Sequence, residues 1–157
     1  MIILGIDPGT AITGWGLIQK RENKLSLIDY GCITTKAHLA QSKRLVIIYQ
    51  ELGKLLRNNK PKVMATEKLF FFKNLKTAIS VAQSQGVILL AAQKAKVPIF
   101  EYTPLQVKQA MSGYGRADKK QVQKMVKILL KLDKIPQPDD AADALALAIC
   151  HAHTRRN

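Results

Sequence analysis

The carboxyl-terminal segment of the chain has the composition of a helix that is buried on every side. Residues 139–153 read DDAADALALAICHAH, so that small and aliphatic side chains occupy nearly every position around the helix. A helix that is apolar all round lies inside a protein and not on its surface. The fold must therefore enclose this helix.

Three aspartates, Asp139, Asp140 and Asp143, begin this apolar segment. Pro136 and Pro138 precede them, and acids in a first helical turn stabilise the positive end of the helix dipole. Capping explains Asp139 well but Asp143 poorly, because Asp143 lies a full turn inside the helix. A carboxylate that faces a protein interior needs a partner, and a cation is one candidate.

The length and charge of the chain restrict its class. A chain of 157 residues suits one domain, residues 1–157, which is large enough to fold without disulfide bonds or a structural metal. Its 25 Lys and Arg outnumber 11 Asp and Glu, and the net charge of +14 favours a polyanion as binding partner, first of all nucleic acid.

The opening MIILGIDPG lacks the basic region of a signal peptide, and no segment reaches the ~20 apolar residues of a membrane span. We expect a soluble cytoplasmic protein that does not enter a membrane. Reduced packing residues are the favoured interpretation of Cys32 and Cys150, with a bridge left open.

Hydrophobic periodicity predicts an α/β fold. The segments MIILGID, TGWGLIQ and KLSLIDYGCIT indicate an antiparallel meander, and KVMATE and VPIFEY indicate two further strands. Helices are expected over residues 41–59 and 75–95, and from Pro104, Lys119 and Asp139. This order predicts a five-stranded mixed sheet with helices on both faces.

Two further acids end separate strands of that sheet. Asp7 closes the first strand and Glu67 closes the fourth, so parallel neighbouring strands would bring both to one edge. A buried helix that begins there would add Asp140 and Asp143. Four carboxylates in one place repel each other unless hard divalent cations neutralise them, and Mg²⁺ prefers oxygen ligands. Two such ions suit phosphodiester hydrolysis.

Four motifs in order, GIDPGTAITGWG, ATEKLFFFKN, FEYTPLQVKQAMSGYGRADKKQVQKMV and DDAADALALAICHAH, together resemble the bacterial RuvC-type Holliday junction endonucleases. The similarity covers essentially the whole chain. It implies a ribonuclease H-like fold and paired, symmetric, Mg²⁺-dependent nicking of four-way DNA junctions in recombination and repair, which leaves ligatable ends with 5′-phosphates. The catalytic and metal-binding acids of the family would match Asp7, Glu67, Asp140 and Asp143.

The resemblance also implies cofactors and partners. Two Mg²⁺ ions per active site are expected, with Mn²⁺ as a possible substitute, together with a homodimer and the RuvA–RuvB branch-migration complex. The residues expected to contact DNA are Phe70, Lys73, Lys108, Arg116 and Lys119. An aromatic side chain at Phe70 suits stacking on an unpaired base, although core packing explains it equally well.

Other interpretations of the motifs remain. GIDPGT is also similar to the first phosphate loop of actin-like ATPases, but 157 residues leave little room for the second lobe of that fold. The lysines of residues 119–131 suit a solvated helix face as well as a DNA contact. A zinc site at His151 and His153 is disfavoured because residues two apart do not share a helix face. A non-catalytic DNA-binding module and a nuclease for another substrate are the competing functions.

Overall fold

A five-stranded mixed sheet forms the centre of the fold. The computed structural model describes residues 1–22, 24–69, 75–113 and 115–154. The strands lie in the order β3-β2-β1-β4-β5 and comprise β1 (Ile2–Asp7), β2 (Ile12–Arg21), β3 (Lys24–Thr34), β4 (Val63–Glu67) and β5 (Ile99–Tyr102). The first three form an antiparallel meander, and β4 and β5 run parallel to β1. The predicted five-stranded mixed sheet is confirmed.

The β2–β3 hairpin is longer than its sequence indicated. The apolar pattern of the second strand, TGWGLIQ, ends at residue 19, yet the antiparallel ladder continues to the pair of Arg21 and Lys24. Backbone pairing does not require apolar side chains, so the strands extend past the apolar pattern that revealed them.

Helices cover both faces of the sheet. On one face lie α1 (Gln41–Asn59) and α2 (Leu75–Lys94), and on the other lie α3 (Pro104–Ser112), α4 (Lys119–Leu129) and α5 (Asp139–Thr154). Alternation along β1 serves both layers, because Leu4 and Ile6 pack with α1 and α2 whereas Ile3 packs with α4 and α5. The helix starts predicted at Pro104, Lys119 and Asp139 are confirmed.

Local sequence fixes where α3 and α4 begin. Thr103 accepts a hydrogen bond from the backbone of Gln106, and the Gln106 side chain accepts one from the backbone of Thr103. Asp118 and Gln121 form the same reciprocal capping box at α4. The cap at Asp118 places Lys119 at the first position of α4.

Glycines of β1 and β2 let α5 lie directly on the sheet. A Cβ atom added to Gly5 would overlap the Ala144 carbonyl oxygen, and one added to Gly14 would overlap the Asp140 carbonyl oxygen. Residues 144–152 of α5 are all buried, as the apolar pattern predicted. The backbones of sheet and helix are therefore in contact where the acidic residues of α5 begin.

Among the helices of the described residues, none is long and apolar enough to cross a membrane. Cys32 and Cys150 are free thiols in the structure.

Candidate active site

The acids at the ends of β1 and β4 lie at one edge of the sheet and on one face of it. The parallel register pairs Ile6 with Thr66, so that Asp7 and Glu67 follow as the next residues of neighbouring strands. Asp7 is two residues after Gly5, where a Cβ atom would point at α5. Glu67 is two residues after Ala65, which packs against α5 residues. Alternation therefore directs both carboxylates toward the face that α5 covers.

The first turn of α5 brings more carboxylates to that edge. The helix begins at Asp139, and Asp140 and Asp143 follow within its first turn and a half. Their position depends on the contact of α5 with Gly14, because any larger residue there would collide with the backbone of Asp140. Electrostatic repulsion from Asp143, Glu67 and Asp140 reaches Asp7, in that order of strength. The charges of the other three predicted acids therefore all reach Asp7.

Lys119, at the start of α4, reaches across to α5. Its Nζ lies 3.1 Å from Asp143 Oδ2 and 3.3 Å from Asp139 Oδ2. These contacts lower the pKa of Asp139 and raise that of Lys119, although burial of the ammonium opposes the latter change. Asp139, expected only to cap the helix, is thus the second carboxylate that holds Lys119.

A pocket of about 220 Å³ opens between these elements. Its polar wall holds three of the predicted acids and two of the predicted lysines: Asp7, Glu67, Asp143, Lys108 and Lys119. Its apolar wall is formed by Pro104, Val107, Val122, Ala146 and Leu147. Negative and positive groups therefore share one pocket with apolar side chains. The apolar side chains exclude part of the solvent, which strengthens the electrostatic interactions of the charged groups.

Burial perturbs the acids of this pocket. Desolvation, followed by repulsion from Asp143, Glu67 and Asp140, raises the pKa of Asp7 to about 8, and Lys119 opposes the shift. Desolvation also raises the pKa of Asp143, against the hydrogen bond that Lys119 donates to it. Both shifts have the same cause, namely negative charge held away from water with too little positive charge beside it.

The donor set fits a hard divalent cation by its chemistry. Within the described residues, no group of three or more His, Cys, Asp and Glu side chains is arranged to hold a metal ion. The four acids nevertheless supply only oxygen ligands around a buried carboxylate whose charge Lys119 offsets incompletely. Oxygen ligands and excess negative charge are what Mg²⁺, Mn²⁺ and Ca²⁺ require.

A buried amide holds the end of β4, and the sequence analysis missed it. Gln85 of α2 donates from Nε2 to the Glu67 carbonyl oxygen (3.3 Å) and to Glu101 Oε1 (3.4 Å). Its Oε1 accepts a hydrogen bond from Thr66 Oγ1 (3.4 Å). The sequence carried little signal, since Ser84 and Gln85 belong to the polar run QSQ at residues 83–85, and only the structure shows that these two are buried while Gln83 is exposed.

Two groups of predicted DNA contacts remain, together with the two histidines at which a zinc site was disfavoured. Arg116 is exposed in the segment between α3 and α4 and does not line the pocket. Phe70 and Lys73 lie outside the described residues, so their predicted DNA contacts stay predictions. His151 is buried and its Nδ1 lies 2.7 Å from the Tyr102 hydroxyl, while His153 Nδ1 lies 3.2 Å from the Ala110 carbonyl oxygen. The two histidines thus contact different elements.

Comparison with known proteins gives a consistent result. The family model described as "Crossover junction endodeoxyribonuclease RuvC" matches residues 3–151. A protein of that name from Desulfitobacterium hafniense is 57% identical over 154 residues, which cover 98% of this chain and 93% of the relative. Its namesake from Halothermothrix orenii is 57% identical over 156 residues, which cover 99% of this chain and 94% of the relative.

Solved structures agree with the sequence relatives. The structure of Thermus thermophilus RuvC in complex with Holliday junction substrate matches with a TM-score of 0.93 and 35% identity, over 98% of this chain and 94% of that one. A yeast mitochondrial Holliday junction resolvase matches with a TM-score of 0.67 at 16% identity, over 94% and 76% of the two chains. The second likeness concerns the fold alone.

Proposed function

Because the chain belongs to the RuvC family of crossover junction endodeoxyribonucleases, we propose that it resolves four-way DNA junctions by hydrolysing phosphodiester bonds. The observation that carries the proposal is the pocket in which Asp7, Glu67 and Asp143 face Lys108 and Lys119. Carboxylates bind the cations that activate water, and lysines bind the phosphates on either side of the bond that breaks. Recombination and repair of DNA are the processes that such an enzyme serves.

Divalent-metal dependence follows from the family, and we assign the metal as Mg²⁺, with Mn²⁺ able to replace it. The ligands would be Asp7, Glu67, Asp140 and Asp143. Two bound ions would supply an activated water and stabilise the leaving oxygen, as in other two-metal nucleases. The protein contributes rigid placement, since the backbone contacts of α5 with Gly5 and Gly14 fix the acids of the helix against those of the strands.

Lysines of the pocket position the substrate. Lys108 extends from α3 into the same cleft as Lys119, so the two flank the carboxylates from neighbouring helices. Phosphate contacts of this kind fix the register of DNA without reading its sequence. Arg116, Lys73 and Phe70 complete the proposed DNA contacts, the last by stacking on an unpaired base at the crossover.

Two nicks per junction require two active sites, and we propose that a homodimer supplies them. The outward face of α2 presents Ile79 and Leu90, with side chains 70% and 54% exposed, in line with Gln83 and Gly86. These positions share one helix face. Two exposed aliphatic side chains on this face, with open space above the glycine between them, support a two-fold interface between α2 helices.

The family resemblance further supports four assignments that accompany this function. The chain forms one nuclease domain over residues 1–157, and it works with the RuvA–RuvB branch-migration complex. Its place is the bacterial cytoplasm, where the proposed DNA substrate lies. The resulting nicks carry 5′-phosphates that a ligase seals.

The central test compares substrates. The protein is incubated with Mg²⁺ and a four-way junction, a linear duplex or an RNA–DNA hybrid of matched sequence. Paired symmetric nicks in the junction alone are expected. Cleavage of the hybrid or the duplex at an equal rate would favour a nuclease for another substrate, and binding of the junction without cleavage would favour a DNA-binding module.

The dimer has a separate test on a supercoiled plasmid that carries a cruciform. Two nicks within one binding event give linear product directly, whereas independent nicks relax the plasmid first. Replacement of Ile79 and Leu90 by Asp should convert the dimer to a monomer in sedimentation and leave nicked circles. A monomeric wild-type protein that yields linear plasmid directly would contradict the paired-site mechanism.

A further inference from the structure

A second depression lies at the amino ends of the parallel strands, opposite the carboxylates. Two cavities of about 440 and 480 Å³ share Leu56, Arg57 and Ala95 in their walls and are therefore adjacent. The depression follows the last turns of α1 and α2 and the segments that lead from them into β4 and β5. No part of it overlaps the lining of the pocket described above.

Cationic side chains dominate this depression, which we call the basic groove. Its lining includes six lysines and arginines and, among the described residues, no Asp or Glu. All six are exposed: Lys54, Arg57, Lys60, Lys62, Lys94 and Lys96. The nearest acid along α1 is Glu51, whose Oε1 lies 2.6 Å from Lys54 Nζ. The charge of the groove is therefore strongly positive.

Helix stability explains only part of this charge. Arg57 and Lys94 lie in the last turns of α1 and α2, where cations stabilise the negative end of the helix dipole. Lys60 and Lys96 instead have left-handed backbone conformations, with φ of 46° and 56°. Such positions favour Gly or Asn, and another residue costs about 1–2 kcal/mol there. Lys54 pairs with Glu51 within α1, and Lys62 lies outside the helices, just before β4. A local stabilising role therefore accounts for three of the six cations.

The floor of the groove is closed and apolar, whereas its rim carries the charge. Leu56, Pro61 and Val97 are buried beneath it. Gly53 lacks a side chain, and Arg57 Nη1 would lie only 3.2 Å from a Cβ atom placed there, so the guanidinium lies across the glycine. Six exposed cations spread over the ends of two helices and the segments that follow them suit the repeating charge of a polymer better than a single small anion.

We propose that the basic groove binds the phosphate backbone of duplex DNA, as a contact separate from the active-site pocket. The choice of DNA rests on the proposed function, because a junction resolvase works among four duplex arms. Duplex DNA carries one negative charge per ~1.7 Å of its axis, and binding through lysine and arginine releases counterions without any sequence preference. The groove would hold a duplex segment while the pocket holds the crossover.

The test separates the two sites by saturating the pocket first. Protein in EDTA, which prevents cleavage, is saturated with an unlabelled short-armed junction, and a fluorescent duplex of matched length is then added in increasing salt. The test variant combines K60N, K62Q, K94Q and K96N, with Asn at the two left-handed positions because it tolerates them. The matched control removes four exposed lysines outside the groove by K24Q, K36Q, K43Q and K134Q.

Wild type and control should bind the labelled duplex, and the groove variant should bind at least tenfold more weakly. The slope of log K against log salt should fall by up to about 3.6 in the groove variant, at 0.9 per lost phosphate contact. The double variant K62Q/K94Q, which leaves both left-handed positions intact, should lose about half of that slope. Equal duplex binding by the groove variant and the control would overturn the proposal. So would a junction-saturated wild type that binds no labelled duplex, or one from which single-stranded RNA displaces the duplex more strongly than unlabelled duplex DNA does.

Junction cleavage distinguishes failure of this inference from failure of the proposed function. The groove variant should cut a short-armed junction in Mg²⁺ at a rate within about twofold of wild type, because no groove residue lines the pocket. Loss of duplex binding with retained cleavage supports both proposals. A wild type that binds duplex in the groove but cuts no junction would refute the function and leave the groove standing.

Discussion

The two ends of the parallel strands differ in charge and in how their side chains are held. At the carboxyl ends, Asp7 and Glu67 meet the acids of α5 in a pocket, where Asp143 is half-buried and bound to Lys119. At the amino ends, the basic groove carries exposed lysines on a closed apolar floor. Breaking a phosphodiester bond requires groups fixed to within fractions of an ångström, whereas attraction of a polyanion requires only charge.

Removal of one acid at the carboxyl ends should have the largest effect. Asp7→Asn, Glu67→Gln, Asp140→Asn and Asp143→Asn should each slow junction cleavage by at least about 100-fold, because a metal ligand supports several kcal/mol of transition-state stabilisation. Junction binding, measured by gel shift, should persist because lysines and arginines supply the affinity. The K62Q/K94Q variant, which alters the basic groove at the amino ends of the strands, is the control and should keep the wild-type cleavage rate. A wild-type cleavage rate in any acid variant would remove that residue from the ligand set.

Substitution of the glycines under α5 should damage the acidic end by steric overlap. Gly14→Ala places a Cβ atom against the Asp140 carbonyl and should lower the free energy of unfolding by about 1–3 kcal/mol, with loss of cleavage. Gly53→Ala is the control, since its Cβ position meets the end of the flexible Arg57 side chain at 3.2 Å and alanine favours the helix. Urea unfolding measures both. An unaltered stability of Gly14→Ala would mean that α5 does not rest on the sheet as described.

The pKa of Asp7 predicts a pH dependence of stability in EDTA. Its folded-state pKa of about 8 exceeds the ordinary value of 3.8, so its contribution to stability is fully present below pH 4, declines as the carboxyl of the unfolded chain ionises, and is lost as pH rises through 8. Asp7→Asn removes this loss. The variant should therefore be more stable than wild type at pH 8, by about 1 kcal/mol or more at 1.4 kcal/mol per pKa unit. Thermal unfolding at pH 5 and pH 8 tests it, and an advantage that does not grow with pH contradicts the assignment.

Changes to the pocket lysines should have the smallest effects. Lys108→Ala and Lys119→Ala should each reduce the salt slope of junction binding by about 0.9. Asp139→Asn removes one of the two carboxylates that hold Lys119, so cleavage should slow less than with Lys119→Ala while the salt slope remains. Fluorescence titration at several salt concentrations measures the slope. An unchanged slope in both lysine variants would place their contacts away from phosphate.

Sequence patterns predicted the sheet, the helix starts and the meeting of the four acids, because each depends on local periodicity and on which residue ends an element. They did not predict that Lys119 would bridge Asp139 and Asp143, or that Gln85 would hold the end of β4, since those contacts join distant segments through side-chain geometry. The basic groove was missed for the same reason. Its lysines come from two segments more than 30 residues apart, each unremarkable in a chain with 25 basic residues.

The backbone contact of α5 with Gly5 and Gly14 affects how the enzyme can bind junctions of different shape. Gly5 and Gly14 join helix and sheet main chain to main chain, so the acids of both elements behave as one body and little reorganisation is needed during the reaction. Lys108 and Lys119 lie on separate helices and have flexible side chains. A branched DNA that varies in the angle between its arms can thus be accommodated by movement of the pocket lysines, while the carboxylates keep their positions.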